Sequence, residues 1–172
     1  YVSFDLETTG FSVIHDGITE FGAVKIKNGE VIDRSQSFVN PGKKIGTRVS
    51  QLTNITNEMV ADAPTIKEFL PQILEFFGDA ILVVHNAKFD IGFLNESLKR
   101  LNQKPITNPV IDSLALARAI MKPMKSYRLG NVCRVYRVNY DDDVAHRADY
   151  DAEVLGAVFT TMLHSIMQSG NY

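Results

Sequence analysis

The sequence predicts an α/β domain built on a five-stranded mixed sheet, three antiparallel strands followed by two parallel ones, with helices on both faces. Three observations carry that expectation. Residues 1–40 read as strand, strand, tight turn, strand. The remainder alternates short apolar runs with longer stretches of helical period. The 172 residues are 45% hydrophobic, enough for one domain with its own core. The order βββαβαβαα then asks for a meander on one side and right-handed helical crossovers on the other.

Tyr1-Val2-Ser3-Phe4-Asp5-Leu6-Glu7 is the first strand, broken by Thr8-Thr9-Gly10. Ile18 to Lys27 is the second, Asn28-Gly29 a two-residue hairpin turn, and Glu30 to Val39 the third. Asn40-Pro41-Gly42 ends it. Residues 43–64 are mixed, with a short helical piece around Arg48–Leu52. Thr65-x-x-Glu68 forms a capping box. Ile66, Phe69, Leu70, Ile73, Leu74 and Phe77 follow at helical spacing until Gly78. Pro71 should kink that helix or tighten its turn. Ala80 to Val84 is a continuous apolar run, as a buried parallel strand requires. Helices are expected over Phe89–Leu101, Ser113–Met121, 126–137 and Asp151–Met167, with a fifth short strand at Pro109–Asp112. There are no repeats, low-complexity tracts or linkers.

Lys+Arg 18 against Asp+Glu 20 leaves a net charge of -2, which excludes a nucleic-acid binder that works by bulk charge. The charge is unevenly spread: -4 over residues 1–80, +7 over 81–140 and -5 over 141–172. Cys133 is the one cysteine, so no internal disulfide forms; it reads as a small core residue, and a reducing, cytoplasmic setting suits it. No apolar run approaches the ~20 residues of a membrane span, and no signal peptide is present. The chain starts at Tyr1, without Met and inside a strand, as expected of a single domain excised from a longer polypeptide.

Strand side chains two apart share a face, so Asp5 and Glu7 point the same way, roughly 7 Å apart at the backbone. Like charges held side by side cost stability unless a cation sits between them. Asp90 heads the apolar stripe Phe93, Leu94, Leu98 and Leu101, and Asp151 heads the stripe Leu155, Val158, Met162 and Ile166. Helix-start placement would account for either acid alone. For both, together with Asp5 and Glu7, a shared metal site is the better account. Four carboxylates suit two Mg²⁺ or Mn²⁺ ions about 4 Å apart, an arrangement that activates water and stabilises the leaving oxygen of a phosphodiester. His146, five residues before Asp151, is placed to take the proton of the attacking water.

Asp5-x-Glu7-Thr8-Thr9-Gly10, His85-Asn86-Ala87-x-Phe89-Asp90 and His146-Arg147-Ala148-x-x-Asp151 resemble the three exonuclease motifs of the DEDDh group, which has a ribonuclease H-like fold. The resemblance spans nearly the whole chain. It implies a 3′→5′ exonuclease that releases nucleoside monophosphates with two metal ions, Asp5, Glu7, Asp90 and Asp151 as ligands and His146 as general base. Ile55-Thr56 and Asn108-Pro109-Val110-Ile111-Asp112 further resemble the proofreading exonuclease domain of PolC-type bacterial replicative DNA polymerases, part of DNA polymerase III. This implies as partners a single-stranded 3′ end of DNA and the remainder of a polymerase polypeptide or replisome. Two departures stand out: Asn54 where relatives commonly carry Gly, and Ala145 where close relatives often have a second His. Asn tolerates positive φ, so the turn at Asn54 should survive.

The 113–140 stretch carries Arg118, Lys122, Lys125, Arg128, Arg134 and Arg137 and no acid. It reads either as a phosphate-contacting surface or as a solvated helical face. Phe11 and Leu52 are expected to pack against the terminal bases, with Thr8, Thr9 and Asn86 completing the substrate contacts and His85 supporting the site structurally. Two rival functions share the motifs: an RNA-trimming 3′→5′ exoribonuclease, and a non-catalytic module that binds a polymerase or clamp.

Overall fold

The computed structural model describes residues 1–170. One sheet runs through it in the order β3-β2-β1-β4-β5, from β1 (Val2–Thr8), β2 (Ile18–Lys27), β3 (Glu30–Phe38), β4 (Leu82–Val84) and β5 (Val110–Asp112). β1 pairs antiparallel with β2, and β2 with β3; β4 runs parallel to both β1 and β5. This is the mixed sheet, an antiparallel meander followed by parallel strands, that the element order predicted. The β2–β3 turn shows why local chemistry sufficed. Lys27 pairs with Glu30, leaving Asn28 (φ 53°) and Gly29 (φ 79°) as the loop. Two consecutive positive φ values define the turn whose twist matches a hairpin.

Among the described residues seven helices join or cover the strands: α1 (Thr47–Thr53), α2 (Asn57–Ala61), α3 (Ile66–Phe77), α4 (Ala87–Arg100), α5 (Ser113–Ile120), α6 (Leu129–Val135) and α7 (Ala148–Gln168). Strand alternation divides the core in two. Val2, Phe4 and Leu6 face α3 and α4, where Leu70, Ile73, Phe77, Phe93 and Leu94 are buried. Val83 faces the other way, toward α5, α6 and α7, and meets Ala117, Val132, Cys133, Leu155 and Phe159. Each Val, Leu, Ile or Phe among these contributes roughly 1.5–3 kcal/mol on burial. Ser3 also points toward α7, and its hydroxyl donates to Ala152 O at 2.8 Å.

α7 is seated on β1 and β2 closely enough to forbid side chains at two glycines. A β-carbon at Gly22 would overlap the backbone of Ala148 and Asp149, and one at Gly156 would overlap Ile26. Among the described residues no helix is long and apolar enough to cross a membrane.

Several boundaries differ from expectation for physical reasons. α7 begins at Ala148 rather than Asp151, because the Ala148 N–H is capped at 2.7 Å by Glu20 on β2. α2 lies within the segment read as mixed; Thr56 caps it, and its own N–H turns to the Met59 sulfur at 3.4 Å. At α3 the Thr65 hydroxyl accepts from the Glu68 N–H, and Pro71 sits inside an unbroken helical span. Asn54 adopts φ 57° and closes α1, as its tolerance for the left-handed region allows.

Candidate active site

The acids collect at the C-terminal end of β1, beside the N-terminal turns of α4 and α7. Asp5 and Glu7 project toward α7, opposite to Phe4 and Leu6, and the charge of Glu7 is felt at Asp5. Asp90, in the first turn of α4, is 3% exposed, and its Oδ2 accepts the Leu6 N–H at 3.3 Å. Asp151, in the first turn of α7, is 7% exposed. Its Oδ2 accepts the His146 N–H at 3.2 Å and its Oδ1 the Tyr140 hydroxyl at 3.4 Å. Both helix N-termini favour negative charge at these positions.

The cluster is electrostatically unbalanced. Burial first, then the charges of Glu7, Asp90 and Asp151, raise the Asp5 carboxyl well above the ordinary range. Glu7 is raised by burial and by Asp151, Glu20 and Asp90. Burial also raises Asp90, against the Leu6 N–H. Asp151 is pushed up to about 7 by burial, with the His146 N–H and Tyr140 hydroxyl pulling the other way. Among the described residues no Lys or Arg forms an ion pair with any of these four acids. Buried like charges of this kind call for a cation. The donor set fits a hard divalent ion, being all oxygen apart from an imidazole. Ligand atoms of Glu7, His146 and Asp151 lie within 4.8 Å of one another.

Asp5, Glu7, His146 and Asp151 line one groove of about 1320 Å³. Phe11, 91% exposed, and Leu52, 58% exposed, stand at its edge, with Asn86 beside them. The Phe11 ring lies 6.2 Å from Phe89, which leads into the core through Phe93. Of the basic stretch, Arg118, Lys125, Arg128 and Arg134 line the groove; Lys122 and Arg137 do not. His85 ties β4 to this wall: its Nε2 donates to Tyr127 O at 2.7 Å, and burial lowers its pKa, which keeps the ring neutral. Cys133 is fully buried, its thiol pushed up to about 12 by that burial.

Thr8 and Thr9 sit behind the groove. The Thr8 hydroxyl donates to Gly10 O, and that of Thr9 donates to Asp16 and accepts the Gly17 N–H. Asp16 also receives the Ser12 N–H and Lys43 Nζ, so it ties together the loop that presents Phe11.

Three contributors escaped the sequence reading. Arg48 joins the basic lining from α1. Tyr140 reaches Asp151 from the loop after α6. Glu20, fully buried, accepts from both Arg147 and Ala148. Only Glu20 left a trace in sequence: it is a charge inside the run Ile18 to Val24, and buried acids require partners.

Comparison with known proteins identifies the family of the chain. A family model described as Exonuclease, of the RNase T type, matches residues 2–159. DNA polymerase III PolC-type of Ureaplasma parvum is 48% identical over 168 residues, 96% of this chain and 12% of that protein. The PolC-type polymerase of Bacillus cereus is 42% identical over 170 residues, 99% of this chain and again 12% of the relative. The chain thus spans about an eighth of the length of these relatives. In fold it matches the nuclease domain of 3′hExo, a DEDDh family member solved with rAMP bound, with a TM-score of 0.80 and 19% identity over 95% of this chain and 91% of that one. With the family model spanning residues 2–159, the chain belongs to the exonuclease family, and it is similar to a segment of PolC-type DNA polymerase III.

Proposed function

We propose that this domain is a metal-dependent 3′→5′ exonuclease that hydrolyses the terminal phosphodiester of DNA, releases nucleoside 5′-monophosphates, and proofreads for a replicative polymerase of which it is a part. The observation that carries the reading is the gathering of four uncompensated carboxylates, of which Asp5, Glu7 and Asp151 line a basic-walled groove together with the His146 imidazole. Asp5, Glu7, Asp90 and Asp151 would hold two divalent ions, Mg²⁺ or Mn²⁺. Those ions, when bound, supply Lewis acidity at the scissile phosphate and neutralise the acids.

The chain's own residues do the rest. His146 lies at the open edge of the cluster, exposed to solvent, where it takes the proton from the attacking water. Water oxygen bonds to phosphorus, the bond to the 3′ oxygen breaks, and that oxygen takes a proton from solvent to leave the shortened strand with a 3′ hydroxyl, while His146 returns its proton to solvent. Asp151 fixes the backbone from which His146 hangs. Phe11 and Leu52 present apolar surface to unstacked terminal bases, which selects a single-stranded end. Arg118, Lys125 and Arg128 meet the backbone phosphates further along.

The test is digestion of matched single-stranded DNA and RNA with labelled 5′ ends in Mn²⁺. Stepwise shortening of DNA is expected, abolished in Asp5→Ala while circular dichroism stays unchanged. Shortening of RNA alone would move the assignment to an exoribonuclease. Activity surviving in Asp5→Ala would remove that residue from the machinery.

A further inference from the structure

Resting on the reading of His146 as base, we infer that Glu20 is a positioning residue for it, acting through Arg147 and the first turn of α7. His146 holds φ 65°, in the left-handed region. That conformation is costly for a residue with a side chain, and it persists only where the surroundings over-determine it. On its N-terminal side the restraint is the His146 N–H on Asp151 Oδ2. On its C-terminal side both restraints converge on Glu20. Arg147 Nε and Nη2 donate to Oε1 and Oε2 at 3.2 and 3.1 Å, and the Ala148 N–H donates to Oε1 at 2.7 Å. Gln36 Nε2 adds a further bond at 2.8 Å. The guanidinium is held in place from its other side by the Phe38 ring, 5.0 Å from the centroid.

The charge on Glu20 is the informative feature. Glu20 stands directly across from Glu7 in the β1–β2 register, and like charges so placed are destabilising. A glutamine would cap the Ala148 N–H equally well without that repulsion. What a glutamine lacks is a two-oxygen acceptor for the guanidinium fork. The carboxylate is therefore explained by its grip on Arg147, the residue next to His146. Gly22, two positions along the same strand, lets the turn settle against β2. Together these contacts leave the backbone at position 146 one way to lie.

The test is a double-mutant cycle on nucleotide release from 5′-labelled single-stranded DNA in Mn²⁺, comparing the parent chain, Glu20→Gln, His146→Ala and the double variant. Glu20→Gln is expected to lower kcat by about 10–100-fold, with KM and the Mn²⁺ Kd from calorimetry shifting by less than about twofold. In the His146→Ala background the same change is expected to cost less than about twofold. An equal loss in both backgrounds, an unchanged kcat, or a collapse of Mn²⁺ affinity would overturn the inference. Should Glu20→Gln not fold, Arg147→Lys keeps the charge without the planar fork and must show the same dependence on His146; additive losses there overturn it too. A parent chain that releases nothing overturns the nuclease reading and this inference with it, whereas a working parent with additive losses overturns this inference alone.

Discussion

Replacing Asp151 by asparagine should make the metal-free domain more stable at alkaline pH, and the size of the effect follows from the site. Asp151 is almost fully buried beside other acids, and its carboxyl is pushed from an ordinary 3.8 to about 7. Each unit corresponds to about 1.4 kcal/mol, so the ceiling is about 4 kcal/mol. The sign is set by proton binding: the folded state holds this proton more tightly than the unfolded state. Stability is therefore greatest below about pH 4, declines as pH rises through about 7, and stays low above it. Side-chain rotation and entry of water reduce the realised cost to about 2 kcal/mol. For a domain of this size that is roughly 4–8 °C in Tm. Asparagine keeps an acceptor for the His146 N–H and carries no charge. Scanning calorimetry in chelator should find Asp151→Asn melting above the parent by that margin near pH 8, with the gap closing near pH 4. Millimolar Mn²⁺ should reverse the order at pH 8 by stabilising the parent more. A variant that melts lower than the parent at both pH values, by a constant margin, would refute the electrostatic account.

Three other outcomes follow. Gly22→Ala should destabilise by about 3 kcal/mol, since its β-carbon overlaps the backbone of α7; an unmoved urea midpoint would mean the helix is not so seated. His146→Ala should slow nucleotide release by about 10²–10⁴ with Mn²⁺ binding kept. Lost Mn²⁺ binding would instead make His146 a ligand, together with Glu7 and Asp151. Arg128→Ala should weaken binding of single-stranded DNA irrespective of sequence and flatten the log–log salt dependence by about 1; the parent's slope in the variant would take Arg128 out of the phosphate path.

What could be read in the sequence was whatever adjacent residues decide. Asn28-Gly29 dictates its own turn, and the stripes headed by Asp90 and Asp151 fix which helix faces are buried. The three antiparallel strands and the crossovers followed from periodicity alone. What stayed hidden depends on contacts between distant segments. Glu20 meets Arg147 and Ala148 across 127 and 128 positions of chain, so neither the true start of α7 nor its capping acid is a local property. The Thr8 and Thr9 hydroxyls, read as substrate contacts, also hydrogen-bond within the loop closed by Asp16, a closure that depends on residues further along the chain. Among the acids, chemistry pointed to convergence where spacing alone did not, because buried carboxylates need a common reason.

The groove draws its walls from distant stretches of the chain: Ser3 of β1 touches Ala152 of α7 across 149 positions. A ribosome delivers β1 long before α7. During that interval one flank of the cleft lies open, and Asp151 and His146 have yet to arrive. Whatever chemistry the groove performs thus stays silent until its closing helix docks, and competence itself reports that this stretch of translation is finished.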